Sequence, residues 1–388
     1  EPHDQFDLLR REAPVFWHRQ PDDTGFWALT KHADVKAVSH DHHTFSTEVG
    51  STFILTQEPE ALELARLTLL NMDPPKHNRY RRLVSAGFTP RTVGHLRESI
   101  EERARLIIDN IAERGEAEFV EDIAAELPLE AICEMVGVPD EDRHLIFNWS
   151  NRLVGFQDPD FRTSLEDGQL AAAEIYAYCD AIAADRRANP RDDIMSTLVH
   201  AEIDGDRLTD TELDLFFVLL CVAGNETTRN LISLAMLAVI EHPEARAALL
   251  AGLDDDALWA TATEEFLRWG SSIHNFRRTA TCDTEVRGVP IKEGDKVVTF
   301  YLSANRDEDV FPDPYRFDIR RHPNEHVTFG GGGLHFCLGA NLARAEISSI
   351  LRAVLRRLPD IELAGPIARM RSDFINGIKS MPVRFTPS

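Results

Sequence analysis

The residues best suited to chemistry lie in one stretch near the carboxyl end of the chain, Thr328–Arg344 (TFGGGGLHFCLGANLAR). Four consecutive glycines, Gly330–Gly333, permit backbone conformations and close approaches that a side chain would prevent. Cys337 follows them, and a helical pattern begins near Ala340. Backbone N–H groups and the helix dipole can favour a thiolate at such a junction. The stretch is typical of a loop with a buried cysteine, or of a thiolate held under a flat cofactor.

A second group of polar residues interrupts an apolar stretch in the middle of the chain. The pattern predicts one long helix over Thr209–Glu241, in which Thr209 and Glu212 have capping-box spacing. Asn225–Thr228 lie between its two apolar halves, which makes the apolar run too short for a membrane span. Buried polar groups are unfavourable unless they are hydrogen-bonded. The segment therefore indicates either a kinked helix or a site inside a core helix.

The elements that must position these residues are mostly helical. Apolar residues at helical spacing predict helices over Val93–Glu113 and Gln169–Ala188. Strand-like runs occur at Gly25–Leu29 and in Val286–Phe300 (VRGVPIKEGDKVVTF), which resembles a hairpin punctuated by Pro290 and Gly294.

The composition excludes several classes of protein. Of 388 residues, 43% are hydrophobic, which is ample for a large core. A net charge of −23, from 42 Lys+Arg and 65 Asp+Glu, argues against nucleic-acid binding and against a polybasic membrane anchor. Five cysteines without a CxxC pair fit neither a disulfide scaffold nor a zinc cluster. No amino-terminal run has the pattern of a secretory signal, so we expect a cytoplasmic protein.

Two further motifs complete a recognisable set. Glu265–Arg268 has the form ExxR, and Met72–His77 (MDPPKH) is followed by Arg81. Together with Ala223–Thr228 (AGNETT) and the cysteine loop, they make the whole chain resemble the cytochrome P450 family. The resemblance implies a mainly α fold with a smaller β region, as one catalytic domain over residues 1–388. It also implies haem b between the long central helix and the cysteine loop, with Cys337 as the axial ligand of the iron.

One departure from the usual family pattern points to a subgroup. Phe329 stands eight residues before Cys337, one more than is usual, because the glycine run is longer. This form, and the tail Ile375–Phe385 (INGIKSMPVRF), resemble bacterial members that include oxidisers of sterol side chains and methyl-branched lipids.

The resemblance assigns further roles residue by residue. Thr227 and Glu226 match the family's proton-relay pair; alternatively, Thr227 bonds the preceding helical turn and Glu226 makes a structural ion pair. Glu265 and Arg268 match a structural ion-pair network, with Arg316 as our candidate for its third member. The positions that match propionate ligands of the haem are His77, Arg81, Arg278 (with Arg277 adjacent to it) and His335.

The sequence gives less information about the substrate than about the cofactor. Ala223, Ile273 and Phe374 match family regions that contact substrate, although core packing is an equally good explanation for each. They predict an apolar pocket for a hydrophobic small molecule such as a lipid, steroid or terpenoid.

The reaction implied by the resemblance is monooxygenation, in which O₂, two electrons and two protons give a hydroxylated product and water. Bacterial members usually receive electrons from a ferredoxin and its NAD(P)H-dependent reductase. Arg79, Arg82 and Arg344 are candidates for a basic docking patch near Cys337. Three alternatives remain: a peroxide-driven haem-thiolate oxidase, a non-catalytic haem or ligand-binding protein, and a helical scaffold without haem.

Overall fold

The computed structural model describes residues 2–21, 24–85, 88, 90–154, 164–202 and 205–388. Helices dominate this part of the chain, as the sequence predicts. The α-helices are α1 (His3–Glu12), α2 (His32–His40), α3 (Pro59–Ala65), α4 (Lys76–Ser85), α5 (Pro90–Ile111), α6 (Glu126–Val136), α7 (Arg143–Val154), α8 (Leu165–Ala188), α9 (Ile194–His200), α10 (Asp210–Glu241), α11 (Pro243–Ala251), α12 (Asp256–Gly270), α13 (Tyr301–Ala304) and α14 (Ala340–Arg357).

The long central helix, α10, is continuous through its polar middle. The Oγ1 atom of Thr209 accepts a hydrogen bond from the Glu212 N–H at 3.2 Å, and the Glu212 carboxylate accepts one from the Thr209 N–H at 2.9 Å. This capping box satisfies two N–H groups that a helix start otherwise leaves unpaired. The predicted boundaries of α10 are confirmed, and those of α5 and α8 lie within a few residues of the prediction.

α10 forms the axis of the main core. It packs against α6, α8, α12 and α14 and against a single π-helical segment, Phe119–Ala124. Most of its apolar side chains are buried, which explains why its sequence is apolar on nearly every face. No helix among the described residues is both long and apolar enough to cross a membrane.

In the described part of the chain, the strands form a smaller β region of four sheets. The largest has the order β1-β2-β8-β5-β3, and β2 and β8 run parallel within it. The others are β4-β12-β9, β6-β7 and β10-β11. The strands are β1 (Val15–Arg19), β2 (Gly25–Leu29), β3 (Phe45–Ser46), β4 (Glu116–Glu118), β5 (Asn275–Ala280), β6 (Thr284–Val286), β7 (Val289–Ile291), β8 (Lys296–Phe300), β9 (Glu362–Leu363), β10 (Ala368–Arg369), β11 (Ile378–Ser380) and β12 (Pro382–Arg384).

The hairpin expected in Val286–Phe300 is only partly correct. The antiparallel hairpin is β6–β7, which turns at Arg287 and Gly288, both with positive φ. β8 leaves this hairpin and pairs instead with β2 and β5. Since β2 lies some 270 residues earlier in the chain, this pairing leaves no local signal in the sequence.

Candidate functional site

The cysteine loop is shaped by its glycines. Gly330, Gly331, Gly332 and Gly333 all have φ between 69° and 102°, a region that only glycine adopts freely. A side chain on Gly333 would also collide with the backbone carbonyl of Ser39 at the end of α2. At Gly331–Gly333 the glycine run therefore serves close packing against α2. The Cys337 N–H donates to the carbonyl of Phe329 at 3.0 Å, which closes the loop.

Cys337 is held at the amino end of α14 with an accessible side chain. Surrounding protein raises the pKa of its thiol, whereas the Gly339 N–H and the charges of Arg81 and Arg344 lower it. These three groups would favour a thiolate once a metal ion replaces the proton. Among the described residues, no three His, Cys, Asp or Glu side chains come together as a metal site. A metal bound at Cys337 would thus need its other ligands from a cofactor.

A cluster of four basic side chains lies close to Cys337. His77 and Arg81 are on α4, Arg278 is on β5, and His335 is in the cysteine loop. The rings of His77 and His335 have centroids 4.5 Å apart, and the Arg81 guanidinium donates to the Phe336 carbonyl at 2.8 Å. The structure thus brings together all four residues that the sequence assigned to the propionates.

Among the described residues the cluster forms no ion pair with a carboxylate, although the charge of Asp73 acts on His77 and Arg278. Burial lowers the pKa of all four side chains, and in His335 the nearby charges of Arg278, His77 and Arg81 lower it further. Neither ring nitrogen of His77 makes a hydrogen bond of good geometry, although the residue is only 1% exposed. Within the described residues no carboxylate pairs with Arg81 or Arg278. Buried and partly buried donors of this kind fit a group with two carboxylates, as haem has.

The polar middle of α10 shows both local interactions considered from the sequence. The Thr227 hydroxyl donates to the Ala223 carbonyl, one turn earlier, at 2.7 Å. Glu226 and Arg229 form a buried ion pair at 2.5 Å, and Arg229 also reaches Asn151 at 3.3 Å. Complete burial raises the pKa of Glu226, and Arg229 partly opposes this. One oxygen of Glu226 has no hydrogen-bond partner.

The ExxR pair forms a fully buried network, but its third member differs from the prediction. Arg268 donates two hydrogen bonds to Glu265, at 2.7 and 2.8 Å. The side chain of Arg316 is exposed, and only its backbone carbonyl accepts a hydrogen bond from Arg268, at 3.3 Å. Arg321 takes the place predicted for Arg316: its guanidinium lies 3.3 Å from Glu265. Arg321 turns inward because three backbone carbonyls of residues 312–316 accept its N–H groups.

A second ion-pair group beside this network was missed from the sequence. Glu264 accepts two hydrogen bonds from Arg344, at 2.6 and 2.9 Å, and lies 3.0 Å from His326. His326 and Arg344 hold its pKa at about 2 despite burial. The Arg344 guanidinium lies over the Phe329 ring, 4.6 Å from its centroid. Glu264 therefore fixes both ends of the cysteine loop, and its only signal in the sequence was its place beside Glu265.

Two of the predicted substrate contacts lie near each other. Ile273 pairs with Ile375 in an isolated β-bridge, next to Phe374. The Phe374 ring packs on Phe53 at 5.0 Å and on Phe276 at 5.3 Å. These side chains form a partly accessible apolar wall.

The third predicted substrate contact, Ala223, lies one turn before Thr227 on α10, and its side chain is exposed.

The basic docking patch is smaller than expected. Arg79 pairs with Asp206 and Glu212, and Arg344 pairs with Glu264. Carboxylates thus neutralise two of the three predicted arginines. Arg82, on the exposed face of α4, makes no ion pair within the described part of the chain.

Comparison with known proteins defines the class of protein that this fold and site represent. The pattern of the family described as Cytochrome P450 matches residues 1–255 and 258–359. The chain belongs to the cytochrome P450 family, and it is a monooxygenase of that class. Membership implies a haem-iron cofactor, O₂ and a redox partner that supplies electrons.

Individual relatives are similar over nearly the whole chain. A steroid C26-monooxygenase of Rhodococcus jostii is 44% identical over 99% of this chain and 82% of its own length. A methyl-branched lipid omega-hydroxylase of Mycobacterium bovis is 45% identical over 98% of this chain and 90% of its own. A solved structure of a Mycobacterium marinum cytochrome P450 in complex with pseudoionone has a TM-score of 0.92 and 42% identity, covering 99% of this chain and 94% of that one. The predicted subgroup is confirmed.

Proposed function

We propose that this chain, as a single catalytic domain over residues 1–388, hydroxylates a lipid, steroid or terpenoid with O₂ and electrons from a ferredoxin. The observation that supports it most is the basic cluster of His77, Arg81, Arg278 and His335, in which His77 and Arg278 are buried, close to the accessible thiol of Cys337. The two curated relatives described above are named as a steroid C26-monooxygenase and a methyl-branched lipid omega-hydroxylase.

These residues would hold haem b. Cys337 would bind the iron as a thiolate, and the four basic side chains would bind the two propionates. When bound, the haem iron activates O₂ and supplies the oxygen atom that enters the substrate. The basic side chains would orient this cofactor by holding its propionates, and Cys337 would hold its iron.

Thr227 and Glu226 would deliver protons. Burial raises the pKa of the Glu226 carboxyl group, although Arg229 partly opposes this, and a raised pKa favours uptake of a proton before it is passed on. The Glu226 carboxyl group must leave Arg229 to reach the Thr227 hydroxyl. The Thr227 hydroxyl must in turn break its hydrogen bond to the Ala223 carbonyl. The ion pair and the local hydrogen bond are then the resting arrangement of the relay.

The ferredoxin would dock on the face that bears Arg82. Arg81, its neighbour on α4, bonds the backbone of the cysteine loop at Phe336, and Phe336 is itself 41% exposed. Arg82→Glu should raise the KM for ferredoxin several-fold and leave kcat unchanged. Arg79→Glu would be a poor control because it breaks two ion pairs. Arg320→Glu, at another exposed arginine, is the better one.

The proposed function is tested by turnover of the haem-loaded protein with branched lipids, sterols and terpenoids. With NAD(P)H, a ferredoxin, its reductase and isotope-labelled O₂, we expect one labelled oxygen atom in the product. Faster turnover with peroxide alone than with the redox partners would favour the peroxide-driven alternative. Ligand binding without NAD(P)H consumption, whichever reductase is used, would favour the non-catalytic one.

A further inference from the structure

Tyr301 is a buried residue whose hydroxyl has no role in the site as described so far. Its side chain is 1% exposed, and the hydroxyl makes no hydrogen bond of good geometry within the described part of the chain. The Thr299 hydroxyl lies near it, but Thr299 donates to the Phe276 carbonyl at 3.0 Å. A buried tyrosine hydroxyl usually has a partner, and leaving it without one is unfavourable. The hydroxyl of Tyr301 therefore lacks the partner that its burial requires.

The sheet places Tyr301 beside Arg278. Tyr301 directly follows β8, which pairs antiparallel with β5 so that Thr299 lies opposite Phe276 and Val297 opposite Arg278. Residues opposite each other, and residues two apart on one strand, share a face of the sheet. The Tyr301 ring packs on Phe276 on this face, with centroids 6.0 Å apart, and the charge of Arg278 acts on its hydroxyl. Tyr301 thus lies on the side of β5 that carries the propionate-binding arginine.

The guanidinium of Arg278 also lacks partners. It is 5% exposed, and within the described residues it makes one hydrogen bond, to the carbonyl of its neighbour Arg277 at 2.9 Å. Burial lowers its pKa, whereas Tyr301 and Asp73 act in the opposite direction. The Asp73 carboxylate instead accepts hydrogen bonds from the backbone and the hydroxyl of Thr47, both at 3.1 Å. A guanidinium has five N–H donors, so most of those of Arg278 are unused.

These two unsatisfied groups complement each other. A tyrosine oxygen can accept a hydrogen bond from a guanidinium, and this leaves the other N–H groups of Arg278 for a carboxylate. A guanidinium binds a carboxylate through two parallel N–H bonds only when their planes are aligned. A neighbouring group that fixes the plane of the guanidinium therefore strengthens its contact with the carboxylate.

We propose that Tyr301 is a positioning residue of the haem site, whose hydroxyl oxygen accepts a hydrogen bond from Arg278 and so holds the guanidinium in the orientation that binds a propionate. The inference rests on the proposed function only in taking haem as the cofactor and Arg278 as a propionate ligand. Tyr301 acts through Arg278 and does not touch the reacting atoms.

The test combines a change in the protein with a change in the cofactor. Tyr301→Phe keeps the ring and removes the hydroxyl, and haem dimethyl ester keeps the macrocycle and removes the propionate charges. Transfer of each cofactor to excess apomyoglobin at neutral pH measures its retention. We expect haem b to leave Tyr301→Phe several-fold faster than the unmodified protein, and the ester to leave both proteins at the same rate.

The reduction potential is a second readout, which loss of packing alone would not move. A propionate charge that is less well compensated favours the ferric state, so we expect a lower potential in Tyr301→Phe with haem b and an unchanged one with the ester. Tyr315→Phe is the matched control, because Tyr315 is 43% exposed and its hydroxyl bonds to Asp7. It should change neither the retention of haem nor the potential.

The protein without haem gives an opposite expectation. The hydroxyl has no partner there, so Tyr301→Phe should keep or raise the unfolding temperature of the haem-free protein. A lower unfolding temperature would show that the hydroxyl is bonded within the protein itself, and it would contradict the proposal.

Three further results would overturn the positioning role. The first is unchanged retention of haem b in Tyr301→Phe, and the second is equally faster loss of haem b and of the ester, because the hydroxyl would then serve packing alone. The third comes from a crystal structure of the unmodified haem-loaded protein, which decides the question even if Tyr301→Phe fails to fold. We expect the Tyr301 oxygen about 3 Å from a guanidinium nitrogen of Arg278, and a hydroxyl bonded only to Thr299 would contradict this.

Product formation separates this inference from the proposed function. Retention of haem b that depends on Tyr301, without any hydroxylated product, would support the positioning role and contradict the hydroxylase. Hydroxylation with equal haem retention in both proteins would support the hydroxylase and contradict the positioning role.

Discussion

Thr227 carries the clearest expectation for a single residue. Thr227→Ala removes the hydroxyl at 2.7 Å from the Ala223 carbonyl but leaves α10 intact, because alanine favours helix. We expect unchanged haem content and substrate affinity, with product per NAD(P)H falling by about tenfold or more and the electrons going to peroxide and water.

The matched variant for this test is Thr227→Ser, which keeps a hydroxyl at the same position and should keep most of the coupling. Unchanged coupling in Thr227→Ala would show that the hydroxyl only bonds the helix, and the relay would then have to be sought elsewhere.

Arg321 and Arg316 are a natural pair for testing the buried network. Arg321→Ala should destabilise the protein by about 2–4 kcal/mol. It removes a positive charge beside the buried Glu265 carboxylate, and three backbone carbonyls lose the N–H groups that bond to them. Arg316→Ala should change stability by no more than about 0.5 kcal/mol, since its side chain is exposed. Denaturant unfolding of both variants checks this, and equal losses would restore Arg316 to the network.

The sequence identifies the residues of the site better than their partners. Cys337, Thr227 and the ExxR pair lie in motifs whose spacing is local. Arg321 was missed because it reaches Glu265 across an irregular segment with no periodic pattern. Arg277 was noticed only as a neighbour of Arg278, since its burial depends on the covering segment Gly50–Phe53.

Among the elements, the cysteine loop depends on its packing against α2. Gly333→Ala should destabilise the protein and weaken haem retention, because it combines a positive φ with a collision at the Ser39 carbonyl. Gly288 has a nearly equal φ of 75° and open space around it. Gly288→Ala should therefore show the backbone effect alone, about 1 kcal/mol.

Thermal unfolding and the Soret absorbance after heating measure the two effects. Similar losses in both glycine variants would mean that the contact with α2 does not constrain the loop.

The contact between α12 and the cysteine loop should respond to pH through Glu264. Its pKa is lowered from the usual 4.5 to about 2, so its stabilising contribution is complete above about pH 4.5 and is lost as the pH falls towards 2. Glu264→Gln should lower stability at neutral pH by about 1–3 kcal/mol and weaken the acid dependence in that window. Denaturant unfolding at a series of pH values checks this.

Glu362→Gln is the matched control, because Glu362 makes an exposed pair with Arg384 that is worth at most about 1 kcal/mol. If the two variants had the same pH profile, Glu264 would not hold the loop through its charge.

Element boundaries followed from the sequence where the signal was local. The capping box of Thr209 and Glu212 predicted the start of α10, and the structure confirms it. The parallel pairing of β2 with β8 could not be predicted, because the two strands are far apart in the chain and either could pair with many partners.

In the molecule as a whole, the fold brings together basic side chains that form no ion pair with one another or with a described carboxylate. α4, β5 and the cysteine loop, which are far apart in the sequence, contribute basic side chains to one place. Burial of positive charge without a partner is unfavourable. The cluster is therefore expected to be stabilised by the cofactor, and the protein with haem should unfold at a higher temperature than the protein without it.

The proposed haem site depends above all on Cys337, which would bind the iron as a thiolate. The most direct test is the absorption spectrum of the reduced haem-loaded protein under carbon monoxide, with Cys337→Ser beside it. We predict the strongly red-shifted Soret band of thiolate-ligated haem for the unmodified protein and its absence in the variant. A band at the position typical of histidine-ligated haem, or a red-shifted band that survives in Cys337→Ser, would contradict the account.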